Sequence, residues 1–217
     1  MDLKVPLFKQ TTKFTCSPAS VLMILEHFGI LKANRINEMK ILELTRGKPF
    51  KLETDVGIAS ALMKFGFGCK IISKQDVKIG EIGLCFEYES IDISKKSLLF
   101  KKFLKNRNSV KMEALRKGCI IEDRNPTSED VIEILNKKMP AILLFDDFFI
   151  DSEDNRFHCP HTVAVVGFSR GNFKINDPWQ GKIKVSKSLL DKSIKSLEKN
   201  LGMRPALIEP ILIGKRN

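Results

Sequence analysis

The chain has 217 residues, 43% hydrophobic and 29% charged, which suffices for a buried core and excludes a disordered or collagen-like chain. Lysine and arginine outnumber aspartate and glutamate by 37 to 26, a formal charge of +11, so nucleic acid, anionic membrane and acidic protein are the partners to weigh. No apolar run nears the roughly 18 residues that cross a bilayer, and the opening MDLKVPLFKQ lacks the apolar core of a signal peptide, so no membrane span and a cytoplasmic location are expected.

In chain order, the first third reads as helical. Thr15 or Ser17 caps a helix from about Pro18 to His27, with Gly29 ending it and Val21, Leu22, Leu25 and Phe28 on one face. Asn34–Leu44 and Thr54–Lys64 are the next two helices, and Cys69–Ser73 is a short strand. Residues 74–93 carry no clear period. Ser94–Lys117 is basic, with Leu98, Leu99, Phe103 and Leu104 spaced as an amphipathic helix.

The later chain changes character. Thr127–Lys138 reads as a helix opened by a Thr127/Asp130 capping box, and Ala141–Phe145 as a strand. His161–Phe168 is β-branched and apolar, a buried strand, joined through Arg170–Gly171–Asn172 to a strand at Phe173–Asn176. Val185–Asn200 is a further helix and Ala206–Ile213 a closing strand. Helices followed by antiparallel strands predict an α+β fold. A helical lobe (about 1–73) packs on a sheet lobe (about 127–217), with an insertion carrying the basic helix (about 74–126) and a groove between the lobes.

Five cysteines stand at 16, 69, 85, 119 and 159 with no CxxC pair, which argues against a zinc ribbon or a disulfide scaffold. Cys16 differs from the rest. At the start of an apolar helix a thiol meets unpaired N–H groups and the positive end of the helix dipole, both of which favour the thiolate. His161 opens the buried strand, where it can project into a cleft while the strand anchors it. Asp177, after the next strand, can reach its imidazole if the hairpin is in register, although Asp177–Pro178 also reads as a plain turn signal. Gln10, six residues before Cys16, offers an amide to an oxyanion.

Val5–Pro6–Leu7–Phe8–Lys9–Gln10 followed by Thr15–Cys16–Ser17–Pro18–Ala19–Ser20 resembles the N-terminal motif of the C39 peptidases and their C39-like relatives. His161–Phe168 with Ile175–Asn176–Asp177–Pro178 resembles their second motif. The resemblance implies a papain-like fold and a cysteine peptidase. It assigns Cys16 as nucleophile, His161 as general base and acid, Asp177 as orienter and Gln10 as oxyanion donor, acting on a peptide or protein without a cofactor. The family often has Asp-Cys-Gly where this chain has Thr15–Cys16–Ser17, which weakens the case for leader-peptide cleavage specifically.

Several other readings stand beside it. The same triad would serve an amide or acyl transferase, and a papain-like scaffold that has lost activity would remain a peptide-binding module. His158–Cys159–Pro160–His161 packs three metal-ligand types into four residues, but no second cluster completes a site, so no metal is expected. His158, in a polar loop, is the weaker candidate for the base. The segment 94–118 holds nine basic residues against the single acid Glu113 and is a candidate surface for an acidic partner. With one Trp and one Tyr and no RNA-binding motif, nucleic acid is disfavoured.

Overall fold

The computed structural model describes residues 1–47, 52–76, 96–150 and 157–213. Cys85 and most of the stretch without clear period lie outside them, as do Ser94 and Lys95 of the basic segment.

Helix α1 (Cys16–His27) is buried continuously from Ser17 to Leu25, which makes it the central helix rather than a surface one. It packs on α2 (Arg35–Thr45), α3 (Asp55–Lys64) and the central sheet. Side chains cap α2 and α3: Asn34 Oδ1 accepts from the Asn37 N–H at 2.9 Å, and Thr54 Oγ1 from the Gly57 N–H at 2.9 Å. Strands β1 (Arg46–Gly47) and β2 (Leu52–Glu53) pair between these helices.

The main sheet has seven strands among the described residues. They are β3 (Phe67–Ile72), β4 (Ile120–Glu122), β5 (Ala141–Asp146), β6 (Pro160–Ser169), β7 (Asn172–Asp177), β8 (Gly181–Ser186) and β9 (Ala206–Leu212), in the order β4-β3-β9-β5-β6-β7-β8. All neighbours are antiparallel except β3 and β4. The last strand in sequence inserts between β3 and β5, so residues on both sides of the chain's middle share one sheet. The fold is α+β, as expected.

Helix α4 (Lys96–Arg116) follows the expected basic helix but buries a different stripe. Leu98 is 57% exposed, whereas Phe103, Arg107 and Ala114 are buried with Val110 half-buried between them, at helical spacing. The charge in that stripe is answered: Arg107 Nη2 donates to both carboxylate oxygens of Asp55, at 3.0 and 2.9 Å. This ion pair locks α4 onto the start of α3.

Helix α5 (Ser128–Asn136) has both halves of the Thr127/Asp130 capping box. Strand β8 departs from expectation, since residues 185 and 186 end a strand and α6 (Lys187–Leu201) starts only after Ser186 caps it. Alternating Lys182, Ile183, Lys184 and Val185 is a two-residue period on an edge strand, where exposed lysines discourage further pairing. No helix among the described residues is long and apolar enough to cross a membrane.

Candidate active site

Cys16 is the first residue of α1, and that helix start is unusually open. The N-cap residue Thr15 makes no side-chain cap; its hydroxyl turns back to the Thr12 carbonyl at 3.2 Å. Pro18 stands third in the helix and carries no N–H. The Cys16 and Ser17 N–H groups are therefore the ones a buried anion would meet there. The Thr15 or Ser17 cap expected from sequence does not form.

Strand β6 supplies His161, and the β6–β7 hairpin brings Asp177 to it. The Arg170–Gly171 turn takes positive φ at both residues, 51° and 75°, the geometry that suits a tight hairpin. Next to the turn, Gly167 faces Lys174, yet farther along Val165 faces Ile175, so Val166 is an extra residue in β6. This bulge decides the site. Extending the shifted register by one step puts Asp177 opposite Val163, on the face that His161 shares two residues away. Without the bulge Asp177 would face Ala164 and point to the other side of the sheet.

The outcome is a compact cluster. His161 Nε2 donates to Asp177 Oδ1 at 3.0 Å, and Cys16 lies close enough to the imidazole to influence its charge. His161 is 7% exposed and Asp177 fully buried, with Phe145 edge-on to the imidazole. Burial works against a charged His161, but the hydrogen bonds and negative charges of Asp177 and Cys16 prevail and hold it well above its ordinary range. Burial likewise opposes the Asp177 carboxylate. His161 and the N–H groups of Gln180 and Trp179 outweigh it and keep Asp177 ionised to lower pH than usual. The Asp177 turn is real as well: Oδ1 also accepts from the Trp179 N–H at 2.6 Å and the Gln180 N–H at 3.0 Å. One oxygen thus closes the turn and orients the imidazole. Trp179 itself is 46% exposed.

Gln10 arrives by a different route. The N-terminal segment runs along the sheet, with the Leu3 N–H on the Val166 carbonyl at 2.8 Å and Asn176 Nδ2 on the Val5 carbonyl at 3.0 Å. The Gln10 N–H then meets the Pro178 carbonyl at 2.9 Å, next to Asp177. One hydrogen of its side-chain amide goes to the Thr12 carbonyl at 2.8 Å. Sequence reasoning missed Glu38, a buried carboxylate of α2 that holds this loop through the N–H and the hydroxyl of Thr11. A glutamate in an ordinary helical pattern gives no sign of such a distant partner.

The other candidates separate. His158 donates from Nδ1 to the buried Asp146 at 2.6 Å and stacks on Phe148, so it belongs to a second His–Asp couple, separate from that of His161 and Asp177. No group of three or more His, Cys, Asp or Glu side chains suited to a metal occurs among the described residues. Cys69 and Cys119 are buried; burial pushes the Cys69 thiol far up and the Cys119 thiol up to about 11, which makes both poor nucleophiles. Cys159 is exposed.

A cysteine at the head of a central helix, packed against an antiparallel sheet that carries a His–Asp pair, defines the papain-like class. The chain belongs to the Peptidase_C39 like family, whose profile matches residues 5–199. Among solved structures it is similar to a double glycine motif protease from an AMS/PCAT transporter in complex with the leader peptide. That likeness has 13% identity and a TM-score of 0.48, over 96% of this chain and 94% of the other. It is also similar to the peptidase domain of Streptococcus ComA, a bi-functional ABC transporter in a quorum sensing pathway, at 16% identity and a TM-score of 0.49, over 96% and 99%. No curated protein matches the sequence.

Proposed function

We propose that the protein is a cysteine peptidase that hydrolyses a peptide or related amide bond through a Cys16 thioester. The observation that carries this reading is the buried His161 ring, bonded to Asp177 at Nε2 and close enough to Cys16, at the head of α1, for that side chain to influence its charge. Cys16 Sγ gives its proton to His161 and attacks the carbonyl carbon. The carbonyl oxygen becomes an oxyanion against the N–H groups at the head of α1 and the side-chain amide of Gln10. Removing one such donor typically costs about 10²–10³-fold in turnover. His161 then returns the proton to the leaving nitrogen, the C–N bond breaks, and an amine departs from the thioester. Water next loses a proton to His161 and attacks the thioester carbon; the acid product leaves and Sγ regains the proton. Asp177 holds the imidazole tautomer through both halves.

The reading is tested with a fluorogenic peptide library and the full chain. Cleavage is expected from the native protein, with none above background from Cys16→Ala. Cleavage that survives the removal of Cys16 Sγ sinks it.

A further inference from the structure

We propose that Ser17, Ser20 and Thr162 form a hydroxyl clamp that positions the Cys16 thiol against the His161 ring. The inference rests on the cysteine-peptidase reading and adds positioning residues to it. Ser17 Oγ donates to Thr162 Oγ1 at 3.0 Å, and Ser20 Oγ donates to the Thr162 carbonyl at 3.1 Å. All three residues are buried, at 2%, 0% and 2% exposure. Two hydroxyls three residues apart near the start of α1 thus hold both oxygens of a single residue of β6.

The placement in the chain matters. Ser17 follows Cys16 and Thr162 follows His161, so these two clamp residues each lie one Cα step, about 3.8 Å, from a member of the site. A serine in the first turn of a helix ordinarily bonds its own backbone. Ser17 instead spans 145 positions to reach β6.

Apolar packing alone lacks directional contacts at this end of the helix. Every residue from Ser17 to Leu25 is buried, so α1 has no wet face to help define its rotation. Single dispersion contacts are weak and non-directional, and the clamp adds a directional restraint to them. Hydrogen bonds are directional, and the β-branched Thr162 has a stiff χ1, so the pair fixes both the rotation and the height of α1 on β6. One residue of rotation is about 100° in a helix, enough to swing the thiol away from the imidazole.

The test uses Ser17→Ala, Thr162→Val and Thr162→Ser in the full chain. The readouts are the rate of Cys16 alkylation by iodoacetamide across pH 4–9, mapped by mass spectrometry, and kcat and KM on a cleaved peptide. Misplacement of reacting groups by about 1 Å costs about 10²-fold, so Ser17→Ala and Thr162→Val should lower kcat by about 10- to 100-fold with KM within about twofold. Both should also lose the fast alkylation on the acid side of the profile, a loss that mere destabilisation of folded protein would not produce. Thr162→Ser, which keeps the hydroxyl, should restore the native profile. Ser17→Ala with Thr162→Val should be no worse than either alone, because both remove the same bond. If Thr162→Val does not fold, Ser17→Ala, lacking one oxygen, decides alone. Native acid-side alkylation retained in the foldable variants overturns the clamp while leaving the cysteine-peptidase reading intact. A native protein in which Cys16 shows no acid-side reactivity overturns both.

Discussion

His161 works against the buried Asp177 carboxylate, and its charge is the most consequential at the residue scale. With its folded value well above 6.5, the stabilisation it supplies is complete below about pH 6.5 and fades as pH rises through that raised value. Asp177 acts oppositely: its folded value lies below 3.8, so its contribution is present above about pH 3.8 and fades as pH falls through the lowered value. Thermal unfolding followed against pH should therefore show a plateau between the two limbs. His161→Gln should flatten the alkaline fall; an unchanged alkaline limb would show that the charged imidazole is not what holds it. In Asp177→Asn the side chain still closes the turn but no longer selects the tautomer. Turnover should drop by up to about 10⁴-fold, the size of the same change in a well-studied serine triad, with folding retained. A kcat near native would remove Asp177 from the chemistry.

Among the elements, α4 has the least expected role. Lys101, Lys102 and Lys105 are exposed, but Arg107 is turned inward onto Asp55, with 1% and 3% of the two side chains exposed and Arg204 at 3.9 Å. Burial opposes the Asp55 carboxylate, and Arg107 and Arg204 overcome this and keep it ionised. Breaking such a pair from one side leaves a buried charge without its partner, at a cost of about 3–5 kcal/mol. Asp55→Ala should thus be strongly destabilising in urea unfolding. Replacing both partners with apolar residues of similar volume should cost less. Equal losses for the single and the double variant would mean that shape, not charge, carries the contact. The basic segment 94–118 is accordingly not all available surface, since Arg107 works inside the fold.

Across the whole molecule, the chain start and the β6 bulge depend on each other. β5 pairs with β6 only as far as Val165, and beyond it residues 1–3 take over that edge. Gly167 sits under them: a Cβ there would lie 2.7 Å from the Met1 carbonyl oxygen and 3.2 Å from the Asp2 Cα, both backbone atoms. Gly167→Val should displace the N-terminal segment and disturb the bulge that aims Asp177 at His161. A lower Tm together with a lower kcat is expected, with about 1 kcal/mol shifting Tm by about 2–4 °C at this size. A fall in Tm alone would separate the bulge from the site.

The sequence by itself was enough for much of this architecture. The capping residues Asn34, Thr54 and Thr127 mark their helices because capping is local chemistry, and the apolar strand at 161–168 declares itself by its β-branched run. Cys16, His161 and Asp177 could be singled out because nucleophile, base and carboxylate are distinctive residue types at element ends. What the sequence could not decide depended on contacts far apart in the chain. The buried partner of Arg107 lies 52 residues away, and the hold of Glu38 on Thr11 spans 27. Strand β9 joins the middle of a sheet whose neighbours come from opposite halves of the chain. The bulge at Val166 is a single residue with no partner in β7 and no composition of its own, visible only once both strands are paired. Local propensity names the parts; register and burial, which exist only in the folded chain, decide that Asp177 and His161 share a face.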